Sequence, residues 1–231
     1  MQALNNFTNT TLSAFYFDIS KDRLYADGVD DIGRRSAQTV LYHVLINYTT
    51  ALAPVVPHLA EEVWEFFEPV RSQFGKDSFS VFLEQWDQTS SSWNNPDLAE
   101  EWTALRKIRG LANKAIEAAR QEKVIGSSLE AELDIYLPLD SRLGVLLKSH
   151  EDELKLLCIT SRAEVHLGVP HGSPPDGYSQ TEAVSAFGVD TSVSVVCRRS
   201  PLHKCPRCWN FHSDKADTLC RRCDITVAGL A

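Results

Sequence analysis

The spacing of hydrophobic residues changes about midway along the chain. Before residue 125, apolar positions recur every three or four residues, which is typical of amphipathic helices. After Gly126, apolar and polar residues alternate in short runs, which is typical of half-buried strands. The pattern predicts helices over residues 12–24, 37–52, 57–67, 97–122 and 143–157, and strands over residues 129–137, 163–167 and 193–197.

Helix breakers and turn residues divide this pattern into three parts. Asp30 or Asp31 is placed to cap the second helix, and residues 69–96 are rich in turn residues, as is the Pro/Gly-rich stretch 168–178. We therefore predict a mainly α chain. Residues 1–97 would form a bundle of three antiparallel helices, residues 98–197 a long helix and a small α+β junction, and residues 198–231 a cysteine-rich finger.

Four of the six cysteines predict a zinc site at the end of the chain. They form two Cys-x-x-Cys knuckles separated by eleven residues: Cys205, Cys208, Cys220 and Cys223. Four thiolates complete a tetrahedral shell and leave no open position, so the metal would be structural. Disulfides or free thiols are the alternatives, but no signal peptide indicates an oxidising compartment. Cys158 and Cys197 lie among apolar residues and are interpreted as buried thiols.

The charge distribution argues against a general polyanion-binding protein. The net charge is −8, with six basic against thirteen acidic residues in positions 1–97. Two stretches are basic: residues 98–126 carry six Lys/Arg against four Asp/Glu, and residues 198–231 carry seven against three. Any contact with nucleic acid would be local to these stretches. No apolar run approaches the length of a membrane span, so we expect no membrane partner.

The long helix carries most of the first basic stretch. Arg106, Arg109, Lys114 and Arg120 recur at helical spacing, and a solvated polar face is the alternative interpretation. No paired nucleophile and base and no Gly-rich phosphate loop occurs in the sequence. The residues alone predict a binding module without catalytic residues.

Several motifs resemble the C-terminal region of bacterial and mitochondrial-type isoleucyl-tRNA synthetases. Residues 12–18, 21–25 and 34–39 resemble the anticodon-binding helical domain of that family, as do residues 52–54 and 57–64. The C-terminal junction and the terminal zinc finger of that type are similar to the remaining motifs. In order, the motifs are LSAFYFD, KDRLY, RRSAQT, PHLAEEVW, RKIR, NKAIEAAR, GSSLEA and KCPRCW. Residues 139–190 match loosely.

The resemblance implies a tRNA-binding part of a ligase that attaches isoleucine to its tRNA using ATP. The two ATP-site signatures of the family, His-x-Gly-His and Lys-Met-Ser-Lys-Ser, are missing, so we expect a non-catalytic piece of a longer enzyme, with ATP used only by the full-length protein. We expect a monomer that binds isoleucine tRNA and no DNA. The residues expected to contact tRNA are Arg34, Arg35, Arg106, Arg109, Lys114, Arg120, Lys123, Arg207 and Trp209.

Three alternatives remain open. Trp209 could form the core of the finger instead of stacking on a base. A related finger ends formamidopyrimidine-DNA glycosylases, but the Pro-Glu that begins those enzymes is absent here. A stand-alone RNA-binding or scaffold protein derived from a synthetase is the third possibility. The short link between the knuckles and the sequence Ser-Ala-Phe-Tyr-Phe-Asp at residues 13–18 favour the mitochondrial matrix over the bacterial cytoplasm.

Overall fold

The structure is a computed structural model that describes residues 1–86, 90–168 and 177–229. About 56% of the described residues are helical, and a small mixed sheet accompanies the helices. The helices are α1 (Gln2–Asn6), α2 (Asp18–Ala26), α3 (Ile32–Leu52), α4 (Pro57–Phe66), α5 (Glu68–Arg71), α6 (Pro96–Gln121), α7 (Arg142–Ser149), α8 (Glu151–Cys158) and α9 (Arg221–Ala228). The strands are β1 (Ala131–Leu137), β2 (Arg162–Leu167), β3 (Tyr178–Ala186), β4 (Val189–Arg199), β5 (His203–Lys204) and β6 (Phe211–Ser213).

The chain divides into two compact units, with breaks after Gly28 and Asn94, whereas the sequence predicted three parts divided at residues 97 and 197. One unit contains Met1–Gly28 and Asn95–Ala231, and the other contains Val29–Asn94. The predicted first helix therefore belongs with the sheet and not with the helices of the second unit. It is also longer than expected, because α1 and α2 are joined by a π-helical segment, Phe7–Phe17.

The larger unit is built by packing α6 against a four-stranded mixed sheet of strand order β2-β1-β4-β3. Strand β1 runs parallel to β2 and antiparallel to β4, and β3 pairs with β4 in an antiparallel hairpin. Helix α6 begins at Pro96, and the Asn95 side chain accepts a hydrogen bond from the Leu98 N–H. Its inward face is rich in alanine, which lets the helix approach the sheet closely, and Ile108, Ala112, Ala115 and Ala119 are fully buried.

One strand and one helix of the larger unit differ from the prediction. Strand β3 was not predicted, because its burial alternates weakly and its outer residues are mostly Ser, Thr and Glu. The predicted helix over residues 143–157 is two helices, because His150 leaves the α conformation between α7 and α8. The other predicted strands and the long helix are confirmed within a few residues. The predicted loop 168–178 lies largely outside the described residues.

The smaller unit has its own core around Trp64, which joins α3, α4 and the 3-10 turn Val81–Leu83. The Trp64 indole N–H donates to the Ser78 carbonyl at 2.8 Å. The guanidinium of buried Arg71 lies 4.8 Å from the centre of the Trp64 ring, and its Nε donates to the Trp64 carbonyl at 3.0 Å. Asp31 caps α3 by accepting the Gly33 and Arg34 N–H groups, as predicted.

The predicted fold class holds in a coarser form. The chain is mostly helical with a small mixed sheet, but the described part is not a simple helical bundle followed by a separate junction. Within the described ranges, the helices are too short or too polar to cross a lipid bilayer.

Truncation of Ile108 tests the packing of α6. Ile108→Ala removes buried methyl groups and leaves a cavity, so the larger unit should lose about 2–5 kcal/mol of stability in urea unfolding. Leu98→Ala is the control on the same helix, because Leu98 is 47% exposed. Equal destabilisation by the two changes would contradict the packing described here.

Candidate metal centre and basic surface

The four cysteines of the two knuckles converge on one point. Their Sγ atoms all lie within 4.8 Å of one another, and the Sγ atoms of Cys208 and Cys220 are 3.8 Å apart. A tetrahedral zinc ion with Zn–S bonds of about 2.3 Å requires sulfurs about 3.8 Å apart. The donor set and its spacing therefore fit a zinc ion, and all four positions of the shell would be filled by protein.

Local backbone structure holds the four thiols in place. The first knuckle follows strand β5, where the Cys205 N–H donates to the Asn210 carbonyl and the Trp209 N–H donates to the Cys205 carbonyl. The second knuckle begins helix α9, with Cys220 at the N-cap position. The Cys220 N–H donates to the Cys205 sulfur at 3.3 Å, so the second knuckle supports a ligand of the first.

Among the six cysteines, the pKa is lowered only for Cys205, because burial raises the pKa values of Cys208, Cys220 and Cys223 as it does those of the two isolated thiols. Burial favours a raised pKa for Cys205, but the backbone N–H groups of Cys208, Cys220 and Arg207 outweigh it and lower the pKa to about 6. Burial raises the pKa of Cys158 to about 12 and that of Cys197 to about 11. The prediction that these two are buried thiols is confirmed.

The finger is attached to the sheet and to helix α2. The Phe211 N–H donates to the Ser161 hydroxyl at 2.6 Å, and the Ser200 hydroxyl donates to Glu132 at 2.8 Å. On the helix side, the Arg207 guanidinium donates to the Ala26 carbonyl at 2.5 Å. Arg207 is thus half-buried and bonded inside the protein, although it was predicted to contact tRNA.

Trp209 is 60% exposed, so the alternative that it forms the core of the finger is wrong. Its backbone lies in the left-handed region, with φ of 66°, immediately after the first knuckle. The Lys204 ammonium lies 5.2 Å from the ring centre. Trp209 also lines a cleft of about 590 Å³ that residues of α2, α8 and the finger form together, and Tyr25 is among the other lining residues.

The predicted cations of the long helix do not share one environment. Arg106 is exposed and lies 4.8 Å from the centre of the Phe15 ring. Arg109 lies 5.1 Å from the same ring and pairs with Asp18 at 3.6 Å, and its side chain is only 15% exposed. Arg109 therefore helps to hold the first helical segment on α6.

The remaining predicted cations are at the surface, except Arg34, which is half-buried. Lys114 pairs with Glu182 on strand β3, and Arg120 pairs with Glu117 on its own helix. Lys123 is exposed just beyond the end of α6. Within the smaller unit, Arg34 and Arg35 lie in the first turn of α3, and Arg35 is 3.9 Å from Asp30.

Sequence reasoning missed several polar and aromatic residues that surround the finger. Asp22, Asp27, Asn210 and Tyr25 around the finger were not predicted as site residues. Asp22 and Tyr25 do lie inside the motif KDRLY, so the motif contained a signal whose role only the fold reveals. The partner of Asp22 in the finger, Arg222, is 200 residues away in sequence.

Comparison with known proteins identifies the class of the chain. A family model described as the anticodon-binding domain of tRNA ligase matches residues 1–136. The chain belongs to this family of anticodon-binding domains.

Similar full-length proteins point to one member of this class of tRNA ligases. The isoleucine–tRNA ligase of Crocosphaera subtropica is 36% identical over 242 residues, and that of Gloeobacter violaceus is 37% identical over 233 residues. Each alignment covers 99% of this chain but only 24% and 22% of the respective relative. The chain therefore spans about a quarter of the length of these relatives, and the family resemblance predicted from its motifs is confirmed.

Metal analysis tests the cysteine site. Protein purified without added zinc should carry one zinc per chain, and Cys223→Ser should lose it, whereas the control Cys158→Ala should retain it. Because apparent binding energies of such sites are on the order of 10–16 kcal/mol, chelation should unfold the finger. A reduced, metal-free finger that keeps its fold would refute the assignment.

Proposed function

We propose that this chain is the part of an isoleucine–tRNA ligase that binds the anticodon arm of isoleucine tRNA. The observation that carries the proposal is the match of residues 1–136 to the anticodon-binding domain of tRNA ligases. Alignment of 99% of the chain to isoleucine–tRNA ligases supports the choice of amino acid. The complete ligase would join isoleucine to its tRNA with ATP, and this chain would supply recognition of the RNA.

The exposed cations would hold the RNA backbone. Arg106 and Arg120 lie fourteen residues apart on α6, which is about 21 Å at the rise of an α-helix. Lys114 and Lys123 extend this set, and Arg34 and Arg35 offer cations at the N-terminus of α3, where backbone N–H groups also favour anions. Arg109 and Arg207 contribute less to RNA contact in this proposal, because both are engaged within the protein.

Trp209 would read or support an unstacked anticodon base. Single-stranded bases commonly stack on exposed aromatic side chains, and each such stack is worth about 1–3 kcal/mol. The exposed ring, the neighbouring Lys204 and the open cleft toward Tyr25 provide an aromatic surface beside a positive charge. Zinc would have no chemical role here beyond folding the finger that presents Trp209.

We further propose that the chain is non-catalytic by itself, monomeric and located in the mitochondrial matrix, with the bacterial cytoplasm as the alternative. The missing ATP-site signatures support the first point, and isoleucine-dependent pyrophosphate exchange by this chain should stay at background. A scaffold protein derived from a synthetase remains the second candidate, and it would share the fold without selectivity for the anticodon.

RNA binding at several salt concentrations tests the proposal. Arg120→Ala with Lys123→Ala should weaken binding of isoleucine tRNA, and the slope of log affinity against log salt should flatten by roughly 1–2, because each phosphate contact contributes about 0.7–0.9. Lys148→Ala is the control, since Lys148 is an exposed lysine on α7 outside the candidate surface.

Anticodon-swapped tRNA completes this test, because base contacts and not phosphate contacts carry sequence information. The unmodified chain should prefer the natural anticodon, and Trp209→Ala should reduce that preference more than Trp209→Phe. Equal affinity for the two RNAs, together with no effect of the double substitution, would favour the scaffold reading.

A further inference from the structure

The two knuckles share a feature that zinc binding does not require. In each Cys-x-x-Cys unit the residue before the second cysteine is an arginine, Arg207 in the first and Arg222 in the second. Both side chains turn toward the C-terminal end of helix α2. The residues that precede them, Pro206 and Arg221, are exposed.

Arg222 forms a bidentate ion pair with Asp22. One guanidinium nitrogen donates to Asp22 Oδ1 at 2.7 Å, and the other contacts Asp22 Oδ2 and lies 3.2 Å from Asp27 Oδ1. The carboxylates are only 18% and 17% exposed, so solvent screens this cluster weakly. The hydrogen bonds and charge of Asp22 raise the pKa of Arg222, and Asn210 donates to the same carboxylate at 2.9 Å.

Arg207 links the metal site to the helix itself. Its guanidinium donates to the Ala26 carbonyl at 2.5 Å and lies 3.5 Å from the Cys223 sulfur. The carbonyls of a final helical turn lack partners within the helix, and a cation is favoured there by the helix dipole. A zinc ion with four thiolates carries a charge of about −2, which also favours Arg207 in this position.

We propose that Arg207 and Arg222 form a metal-dependent clamp that holds the finger on helix α2. Zinc fixes the two knuckles, and the knuckles present both arginines to Asp22, Asp27 and Ala26 at once. The clamp residues are positioning residues and not RNA contacts. They fix the finger on helix α2, and thereby the place of the exposed indole ring in the cleft that Tyr25 also lines.

The clamp explains why two arginines in a basic finger would give little to RNA. Arg222 is paired with two carboxylates, and Arg207 donates hydrogen bonds to the Ala26 carbonyl and to the Cys223 sulfur. Removing Asp22 should therefore have the same consequence as removing Arg222. An RNA-contacting arginine predicts the opposite, because loss of a nearby negative charge would strengthen binding of a polyanion.

Hydrogen exchange on the full chain is the deciding experiment. Arg222→Ala and Asp22→Asn should each speed exchange of the backbone amides of residues 22–28 by about tenfold, and the double variant should add little, as expected for partners in one interaction. Zinc chelation of the unmodified chain should give the same acceleration. Arg221→Ala is the matched control in the same knuckle, and Arg222→Lys should restore protection only in part, because lysine lacks the planar fork.

Zinc retention provides a second readout for Arg207. Arg207→Ala should release zinc to a chelator faster than the unmodified chain and Arg221→Ala, because the charge next to the Cys223 thiolate is lost. The clamp is overturned if chelation leaves exchange of residues 22–28 unchanged, or if the effects of Arg222→Ala and Asp22→Asn are additive.

A salt titration with isoleucine tRNA distinguishes the clamp from RNA contact, and this arm rests on the proposed function. Arg222→Ala and Asp22→Asn should both weaken binding and leave the salt slope unchanged. A slope reduced by about 0.9 for Arg222→Ala, with tighter binding for Asp22→Asn, would assign Arg222 to a phosphate and refute the clamp. If the unmodified chain binds no tRNA, the proposed function fails, while hydrogen exchange still decides on the clamp.

Discussion

The close packing of helix α6 on the mixed sheet is the constraint on which the larger unit depends. The alanines at positions 112, 115 and 119 remove side-chain bulk and let α6 lie close to β3 and β4, and Ile108 and Leu111 belong to the buried cluster that also contains residues of β1 and β4. The same helix carries exposed cations on its other side. Core and candidate RNA surface therefore share one element, and the position of Arg106 or Arg120 is set by the burial of the opposite face.

The metal centre extends this arrangement beyond the sheet. Strand β4 leads directly into the finger, and the Ser200 N–H donates to the Glu130 carbonyl at 2.7 Å where the sheet ends. The finger contacts the sheet through Ser161 and helix α2 through its two arginines. A short segment with few large apolar residues is thus stabilised by thiolates, hydrogen bonds and ion pairs more than by a hydrophobic core.

Much of this architecture could be predicted from local sequence. Helix α6, strand β1 and the four-cysteine cluster follow from hydrophobic period and ligand spacing, which are properties of short segments. The grouping of residues 1–28 with the sheet could not be predicted this way, because it depends on pairs such as Asp22 with Arg222. Strand β3 was also missed, since it lies at an edge of the sheet and Val184 is its one buried residue, so its sequence carries little apolar alternation.

The same limit applies to the candidate site. A basic residue in the sequence shows that a positive charge exists, but only the fold shows whether that charge is already paired. Arg109 and Arg207 match the pattern of RNA-binding cations as well as Arg106 does. In the fold, however, Arg109 forms an ion pair with Asp18, and Arg207 donates a hydrogen bond to the Ala26 carbonyl. The exposure of Trp209 likewise emerges only from the fold, because its sequence context was equally compatible with a place in the core of the finger.

Recognition of the anticodon arm is the central claim, and the direct measurement is a comparison of two RNA fragments. The isolated anticodon stem–loop and the acceptor-stem minihelix of isoleucine tRNA carry similar backbone charge, so non-specific attraction affects both equally. This account predicts that the chain binds the stem–loop more tightly and that the intact tRNA competes with it. Equal binding of the two fragments, or preference for the minihelix, would contradict the account.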